Sequence, residues 1–378
     1  RCLFGNGKEL HFKKLMDFDT IGGKSNKNGA RFDLDAMYVN WLGLSLKCYL
    51  PKSENSLSYV WESLKGKISY CNIKRLMFSS GWRYYAEIVV SGAAPTRVSI
   101  GTSTMGIDPG VSTIAGVSED ACVLEELAPN AIQYEKRIQT ISQSMDRSRR
   151  ISNPNKYNED GTINRSNRDP WKYSKNYVKM CRLLKSLYRK KHAYIVDSHR
   201  ELCNKLITIA KYFPVEKMHF QALQKKAKET RRQEKKTEVK QKDGTVKVIQ
   251  KYKRKKRFGR SINRRAPARF LLELKRKAEA VGGVYAEVDT KEFKASQYNH
   301  VTDAYEKIPL SQREKEIGKR KVQRDLYSAF LIRNADLDFK HPDREKCEYE
   351  FEHFAKMQDQ LILKMKESGL SMRQCFGF

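Results

Sequence analysis

The stretch MGIDPGVSTIAGV, residues 105–117, decides both the fold and the candidate chemistry of this chain. Apolar residues lead into Asp108, Pro109-Gly110 predicts a turn, and residues 114–117 predict the returning strand. An aspartate at the end of a buried strand is costly unless a charged group compensates it, and a metal ion is the usual compensation. A metal site here requires matching carboxylates elsewhere in the chain.

The charge of the chain points to a polyanionic partner. Its 378 residues include 75 Lys and Arg against 44 Asp and Glu, which gives a formal net charge of +31. This excess disfavours a small-molecule enzyme and predicts salt-dependent binding to nucleic acid through counterion release. A membrane is the rival partner, but we find no lipid anchor or amphipathic anchoring helix, and no apolar run approaches the roughly 18 residues of a membrane span. We therefore expect no membrane partner.

The cysteines indicate a reducing compartment. None of the eight belongs to a CxxC pair, so neither a zinc ribbon nor a disulfide framework is predicted. We find no signal peptide and expect a cytoplasmic location. The first residue is Arg1 rather than Met, so we expect the segment to begin inside a longer protein.

Residues 1–103 are predicted to be β-rich, with short strands at 45–50, 67–71, 74–79 and 83–90. This spacing is typical of a small barrel or sandwich. Basic and aromatic residues alternate along these strands, which is typical either of a nucleic-acid-binding face or of half-buried strands. The residues concerned are Lys74, Arg75, Trp82, Arg83, Tyr84 and Tyr85.

From residue 104 onward, strands and helices alternate. A helix is predicted at 132–150, and a long amphipathic helix is predicted at 173–209 by apolar residues at steps of three and four. A buried strand at 213–220 contains Glu216. The remaining predictions are a helix at 266–281, a strand at 284–288, a helix at 318–334 that contains Asp325, and a helix at 350–366 within the C-terminal part 336–378. This order suits a ribonuclease-H-like α/β fold with a mixed sheet.

The segment 225–265 concentrates the positive charge. It holds 19 Lys or Arg and 4 Asp or Glu, about half of the net excess of the chain. Such a run is often a disordered tail, but Asp243-Gly244 predicts a hairpin, and ordered elements flank the run. We expect an inserted arm that contacts nucleic acid. Its candidate phosphate-binding residues are Lys225, Lys226, Arg231, Arg232, Lys253, Arg254, Lys255, Lys256 and Arg257.

Three acids are the candidate site: Asp108 and Glu216 on strands and Asp325 on a late helix. Any one of them alone is more often a turn cap or the partner of a lysine. Together they would suit two Mg²⁺ or Mn²⁺ ions, since hard cations take carboxylate oxygens and two such ions activate a water for in-line attack on a phosphodiester. That chemistry needs no histidine, so we interpret His219 and His300 as structural.

Three segments resemble the RuvC motifs of TnpB, the insertion-sequence transposon proteins related to compact type V CRISPR effectors. They are MGIDPGVSTIAGV, FPVEKMHFQALQKKAKE (213–229) and VQRDLYSAFL (322–331), with supporting similarity in MDRSRRISNPN (145–155), KASQYNH (294–300) and PLSQRE (309–314). The resemblance implies that Asp108, Glu216 and Asp325 are the catalytic, metal-binding acids of a RuvC domain at 104–335. Residues 1–103 would be the later part of a wedge barrel that binds the guide scaffold.

The chain departs from that family pattern in two places. No helical recognition part is recognisable, so we expect it to have been trimmed, left out or lost. Many TnpB proteins also carry a four-cysteine zinc ribbon between the second and third motifs, whereas residues 294–323 contain no cysteine, so no zinc is expected there. Arg313 and Arg324 are that segment's candidate phosphate contacts.

The resemblance implies an Mg²⁺-dependent, RNA-guided endonuclease of a prokaryotic, nucleoid-associated kind. Its partners would be a guide RNA, either an omega RNA or a crRNA, and target double-stranded DNA. Two alternatives stay open: a guided repressor that binds without cleaving, and an unguided RuvC-like nuclease acting on branched substrates. The oligomeric state is not predicted.

Overall fold

The computed structural model describes residues 18–369, apart from positions 79, 93, 160, 225–231, 241–245, 253–257 and 310–311. Contacts divide the chain into two compact units. The first comprises the described residues up to Arg97 together with Gln133–Ala193, and the second comprises Val98–Ile132 together with the described residues from Tyr194 onward. Residues 133–193, which the sequence assigned to the nuclease domain, thus belong to the first unit.

Short strands dominate the beginning of the described chain, and helices dominate its later part. The strands are β1 Thr20–Gly22, β2 Arg31–Asp33, β3 Tyr38–Trp41, β4 Leu44–Lys47, β5 Lys67–Phe78, β6 Gly81–Ser91, β7 Ser103–Thr104, β8 Gly106–Pro109, β9 Thr113–Val117, β10 Cys122–Glu126, β11 Ala210–Glu216, β12 Arg232–Lys240, β13 Val246–Tyr252, β14 Val284–Val288, β15 Tyr298–Asn299, β16 Ala304–Tyr305, β17 Glu314–Ile317 and β18 Arg320–Gln323. The helices are α1 Glu54–Leu64, α2 Ala131–Ser152, α3 Lys175–Ile209, α4 Phe220–Gln224, α5 Gly259–Arg265, α6 Pro267–Ala280, α7 Thr290–Phe293, α8 Arg324–Arg333 and α9 Arg344–Glu367.

A mixed sheet forms the centre of the second unit. Its strand order is β10-β9-β8-β11-β14, and β7 also pairs with β11. Strands β8, β9 and β10 are antiparallel neighbours, whereas β11 runs parallel to both β8 and β14. The predicted turn after Asp108 is confirmed, since the Gly110 amide donates to the Thr113 carbonyl over 2.9 Å.

Two apolar cores cover the two faces of this sheet. One core joins Ile107 and Val215 to α3 and α6, and the other joins Ala115 and Val117 to α8 and α9. Neighbouring residues of one strand contribute to opposite cores, as Ile114 and Ala115 do, because successive side chains of a strand point to opposite faces. Burial on both sides explains why β9 is apolar or β-branched throughout rather than alternating.

The first unit contains two antiparallel sheets of three strands, β1-β5-β6 and β2-β3-β4. Phe32, Val39, Leu64 and Cys71 form their shared buried core. Among the described residues these strands make two separate sheets rather than one closed barrel. The sequence missed α1, whose N-cap Ser53 accepts a hydrogen bond from the Ser56 amide.

The helix predicted from residue 318 is wrong at its beginning. Residues 314–323 form the antiparallel hairpin β17–β18 instead, and Gly318 occupies its turn with a φ of +58°. Helix α8 begins only at Arg324, where Gln323 caps it by accepting a hydrogen bond from the Leu326 amide. Burial alternates along β17, where Lys315 and Ile317 are buried, and this partner strand pairs with β18, the strand that the helical pattern concealed.

The predicted arm hairpin is confirmed in its strands. Backbone pairing joins β12 to β13 in antiparallel register, from Lys240 opposite Val246 back to Arg232 opposite Tyr252. The turn at Asp243-Gly244 lies outside the described residues. Within the described part of the chain, no helix is both long and apolar enough to cross a membrane.

Candidate active site

Two neighbouring parallel strands deliver two of the predicted acids to one edge of the sheet. The register places Ile107 of β8 opposite Val215 of β11, so the next residues, Asp108 and Glu216, are adjacent. Both follow buried apolar residues, and both residues are themselves half-buried. The carboxyl ends of parallel strands therefore position this pair through backbone pairing alone.

A glycine allows the third acid to join them. A Cβ built on Gly106 would lie 2.2 Å from the Ala329 carbonyl oxygen and 2.3 Å from the Arg333 amide nitrogen. The backbone of α8 thus rests directly on β8, an approach that only glycine permits. Asp325 lies in the first turn of α8, one turn before Ala329, and is brought to the same edge of the sheet.

The electrostatics show that the three carboxyl groups act on one another. Burial raises the pKa of Asp108 well above its ordinary 3.8, and the nearby charges of Glu216 and Asp325 raise it further. Burial also raises the pKa of Glu216, and Asp325 adds to that shift. A hydrogen bond joins the Asp108 and Glu216 carboxyl groups, so the pair shares one proton when no cation is present.

The Asp325 carboxylate is bound by two arginines. Arg313 Nη1 donates to Oδ2 over 3.1 Å, and Arg324 donates to Oδ1 from Nε at 3.1 Å and from Nη2 at 2.9 Å. Arg324 also lowers the pKa of Asp108, which places its charge within the same site. The sequence predicted both arginines as phosphate contacts but gave no sign that they would pair with Asp325.

The carboxylate ligands of the site suit a hard divalent cation, but the three side chains are not arranged to bind one ion together. Carboxylate oxygens are the ligands that Mg²⁺ and Mn²⁺ prefer, and the Asp108–Glu216 pair requires either a proton or a cation to relieve its repulsion. In the described ranges, no group of three or more His, Cys, Asp or Glu side chains is placed to hold a metal ion. That result agrees with the ion pairs of Asp325, whose two oxygens both face guanidinium groups.

Sequence reasoning missed Thr290, which supports Glu216. Strand β14 lies parallel to β11 with Val288 opposite Glu216, and Thr290 follows two residues later. Its hydroxyl lies between the Glu216 carboxylate, whose pKa it lowers, and the Lys217 carbonyl 2.6 Å away. The polar pair Asp289-Thr290 directly after a strand was the available signal, since Glu216 ends the neighbouring strand in the same way.

The two histidines interpreted as structural lie in different surroundings. His300 is 1% exposed, and its Nδ1 lies 2.8 Å from the Tyr327 hydroxyl. Burial lowers the pKa of His300 to about 4, so the ring is neutral at physiological pH. His219 is exposed at the start of α4.

The segment without cysteines is held by aromatic and polar contacts. Tyr298 of β15 contacts the ring of Tyr305 in β16, with 5.0 Å between centroids, and donates from its hydroxyl to Asp303. The buried Lys315 donates to the Tyr298 carbonyl over 2.6 Å and lies 5.4 Å from the ring of Tyr327. These contacts join the hairpins β15–β16 and β17–β18 to α8 through side chains.

The basic residues of β5 and β6 mostly have protein partners. Lys74 lies 3.5 Å from Glu87, and Arg75 pairs with Asp19 at 3.1 Å while its guanidinium stacks 4.3 Å from the Trp82 ring. Arg83 lies 4.5 Å from the Phe78 ring and is exposed. A structural role is thus shown for Arg75, whereas binding of nucleic acid by these residues stays a prediction.

Most of the candidate phosphate-binding residues of the arm precede or follow its paired strands β12 and β13. Lys225, Lys226, Arg231, Lys253, Arg254, Lys255, Lys256 and Arg257 lie outside the described residues. Arg232 begins β12, where its backbone pairs opposite Tyr252.

Comparison with known proteins gives matches among solved structures only, and these are distant. No protein-family model matches the chain, and no curated protein matches it. Among solved structures, a cryo-EM structure of a Cas12f1–sgRNA–target DNA complex matches 75% of this chain and 48% of its own chain, with 12% identity and a TM-score of 0.44. A cryo-EM structure of a CRISPR–Cas12f ternary complex matches 84% and 51%, with 14% identity and a TM-score of 0.31. The chain spans about half the length of these proteins.

Proposed function

We propose that this chain is the nuclease-bearing part of an RNA-guided DNA endonuclease related to TnpB and the compact type V effectors. The observation that carries the proposal is the meeting of Asp108, Glu216 and Asp325 at one edge of the sheet, with the pKa values of the first two raised. The strand order supports it. Three antiparallel strands followed by two parallel ones, with acids at the ends of the first and fourth, is the arrangement expected of a ribonuclease-H-like RuvC fold.

Asp108, Glu216 and Asp325 would hold the divalent cations in this proposal. When bound, such cations supply an activated water and neutralise the charge that develops on the phosphate and on the leaving oxygen. The chain itself contributes positioning, because strand pairing fixes Asp108 beside Glu216 and α8 fixes Asp325 against β8. Thr290 restricts the Glu216 carboxylate through its hydroxyl.

The basic surface of the chain would bind the polyanionic partners. A net charge of +31 supports long stretches of contact with phosphates, which suits a guide RNA paired with target DNA. The arm strands β12 and β13 pair only with each other among the described strands, so the arm adds no strand to the mixed sheet. We propose that it contacts the guide or the heteroduplex.

A guided binder that does not cleave is the second candidate. The pairing of Asp325 with Arg313 and Arg324 favours it, because a permanently occupied carboxylate would keep cations out. The three acids favour the endonuclease, since a binder has no need for a costly cluster of half-buried carboxyl groups.

Sequencing the RNA that co-purifies with the chain and then challenging a matching plasmid tests the proposal. A single structured RNA and Mg²⁺-dependent cutting are expected, with cutting abolished by Asp108→Ala. Asp197→Ala is the matched control, because Asp197 is an exposed aspartate on α3 of the same unit. A defined RNA with no cutting would support the binder, and a heterogeneous RNA pool with cutting would support the unguided nuclease.

A further inference from the structure

The two arginines that pair with Asp325 differ in how exposed their side chains are. Arg324 is 10% exposed at its side chain, and it donates both to Asp325 and to the Gln312 carbonyl, so the fold holds it in place. The Arg313 side chain is 36% exposed, and Asp325 is its one side-chain partner within the described part of the chain, while its carbonyl accepts a hydrogen bond from the Arg324 amide. The Arg313 backbone is thus fixed, and its side chain is open to solvent.

A cation and the two guanidinium groups compete for this carboxylate. Both Asp325 oxygens already accept arginine protons, and a cation would need at least one of them. Positive charges crowded around one carboxylate also repel each other, and the partial burial of the pair weakens screening by water. Arg313 is the more exposed of the two arginines, so moving its side chain away is the smaller rearrangement that frees Asp325 Oδ2.

A phosphodiester is a suitable alternative partner for that arginine. Guanidinium groups bind phosphate oxygens through two parallel hydrogen bonds, and these charge-assisted bonds are as strong as those to a carboxylate. Arg313 already lies beside the site where a scissile phosphate would sit under the proposed function. A bound nucleic acid therefore offers Arg313 a new partner at the moment when Asp325 is needed as a ligand.

We propose that Arg313 is a positioning residue that couples cation binding to nucleic-acid binding. Without nucleic acid, it holds Asp325 and keeps the cation site incomplete. With nucleic acid, it moves to a phosphate and releases Asp325 to join Asp108 and Glu216. The inference rests on the proposed function and adds to it that the site is assembled by its substrate.

Binding of Mn²⁺ measured by electron paramagnetic resonance tests the coupling without any turnover. Arg313→Gln should tighten Mn²⁺ binding to the nucleic-acid-free chain by about ten-fold, because the substitution removes one of the positive charges that compete with Mn²⁺ for the partly buried Asp325 carboxylate. A short single-stranded phosphorothioate DNA should tighten Mn²⁺ binding to the wild type and leave that variant nearly unchanged. Arg313→Lys keeps the charge and should restore most of the wild-type dependence on DNA.

Arg320→Gln is the matched control. Arg320 lies on the adjacent strand β18 and pairs with the exposed Glu352 at 2.8 Å, so its loss should leave Mn²⁺ affinity at the wild-type value. Asp108→Asn should lose Mn²⁺ binding. The coupling is refuted when Arg313→Gln binds Mn²⁺ like the wild type while Asp108→Asn has lost binding. Unchanged Mn²⁺ binding by Asp108→Asn would instead overturn the proposed function, and the coupling with it.

Discussion

Replacing Gly106 with alanine should disturb the arrangement of the three acids by displacing α8 from β8, although no acid is itself changed. The new Cβ would lie 2.2 Å from the Ala329 carbonyl oxygen and 2.3 Å from the Arg333 amide nitrogen, both of which are backbone atoms of α8. Ordinary contact begins at 3.4 Å, so β8 and α8 must separate by roughly 1 Å. Overpacking of this kind costs about 1–3 kcal/mol, and here the upper end is expected because no flexible side chain yields.

The same separation moves Asp325 away from Asp108. A displacement of about 1 Å in a catalytic arrangement lowers the rate by on the order of 100-fold. We expect Gly106→Ala to lower the melting temperature by about 5–10 °C and to bind Mn²⁺ weakly even where it stays folded. Circular dichroism melting and a Mn²⁺ titration at a temperature below the transition measure both effects.

Gly116→Ala is the matched control on the neighbouring strand. A Cβ there would meet Ile107 Cδ1 and Met105 Sδ at 3.1 Å, which are the ends of flexible side chains. We expect a smaller loss of stability and unchanged Mn²⁺ affinity. Equal stability and equal Mn²⁺ affinity for Gly106→Ala and the wild type would refute the direct seating of α8 on β8.

Three other perturbations test separate parts of the chain. Burial lowers the pKa of His199 from an ordinary 6.5 to about 4, so the folded state binds fewer protons than the unfolded state and loses stability as the pH falls from 6.5 toward 4. Between pH 7 and pH 5, the free energy of unfolding measured in urea should fall by about 2 kcal/mol less for His199→Leu than for the wild type. Replacing residues 225–257 with a short Gly-Ser linker should leave the melting temperature unchanged. The slope of log K for RNA binding against log salt concentration should become shallower by about 0.7–0.9 for each phosphate that the arm had neutralised. An unchanged slope would show that the arm does not contact the RNA. The Trp82 ring lies 4.3 Å from the Arg75 guanidinium and 4.5 Å from the Lys185 ammonium, so Trp82→Ala should lower the melting temperature. Tyr84 is 69% exposed, so Tyr84→Ala should lower RNA affinity in filter binding and leave the melting temperature unchanged. The opposite pattern for the two variants would contradict this division.

The parts of the fold that the sequence predicted are those set by local pattern. Strand β14 occupies the predicted residues, and the turn after Asp108 forms where Pro109-Gly110 requires it. The predicted long helix ends at Ile209, as its apolar repeat indicates. Each of these signals lies within a few residues of the element that it predicts.

The parts that the sequence missed depend on partners distant along the chain. The beginning of the predicted helix at 318 gives way to β18, because pairing with β17 and burial of Val322 outweigh a weak helical pattern. The three acids were predicted by type and motif, but the contact of Arg313 with Asp325 depends on how the hairpin β17–β18 folds back onto α8. No spacing in the sequence encodes that ion pair.

In the proposed function, Asp108, Glu216 and Asp325 together hold divalent cations against a nucleic-acid phosphate. The most direct measurement is the anomalous difference density of Mn²⁺ in crystals of the chain bound to guide RNA and phosphorothioate DNA. We expect Mn²⁺ peaks about 2.1 Å from oxygens of all three carboxylates, with the Arg313 guanidinium on a phosphate. Density showing no cation there, with Asp325 still bound to Arg313 beside ordered DNA, would contradict it.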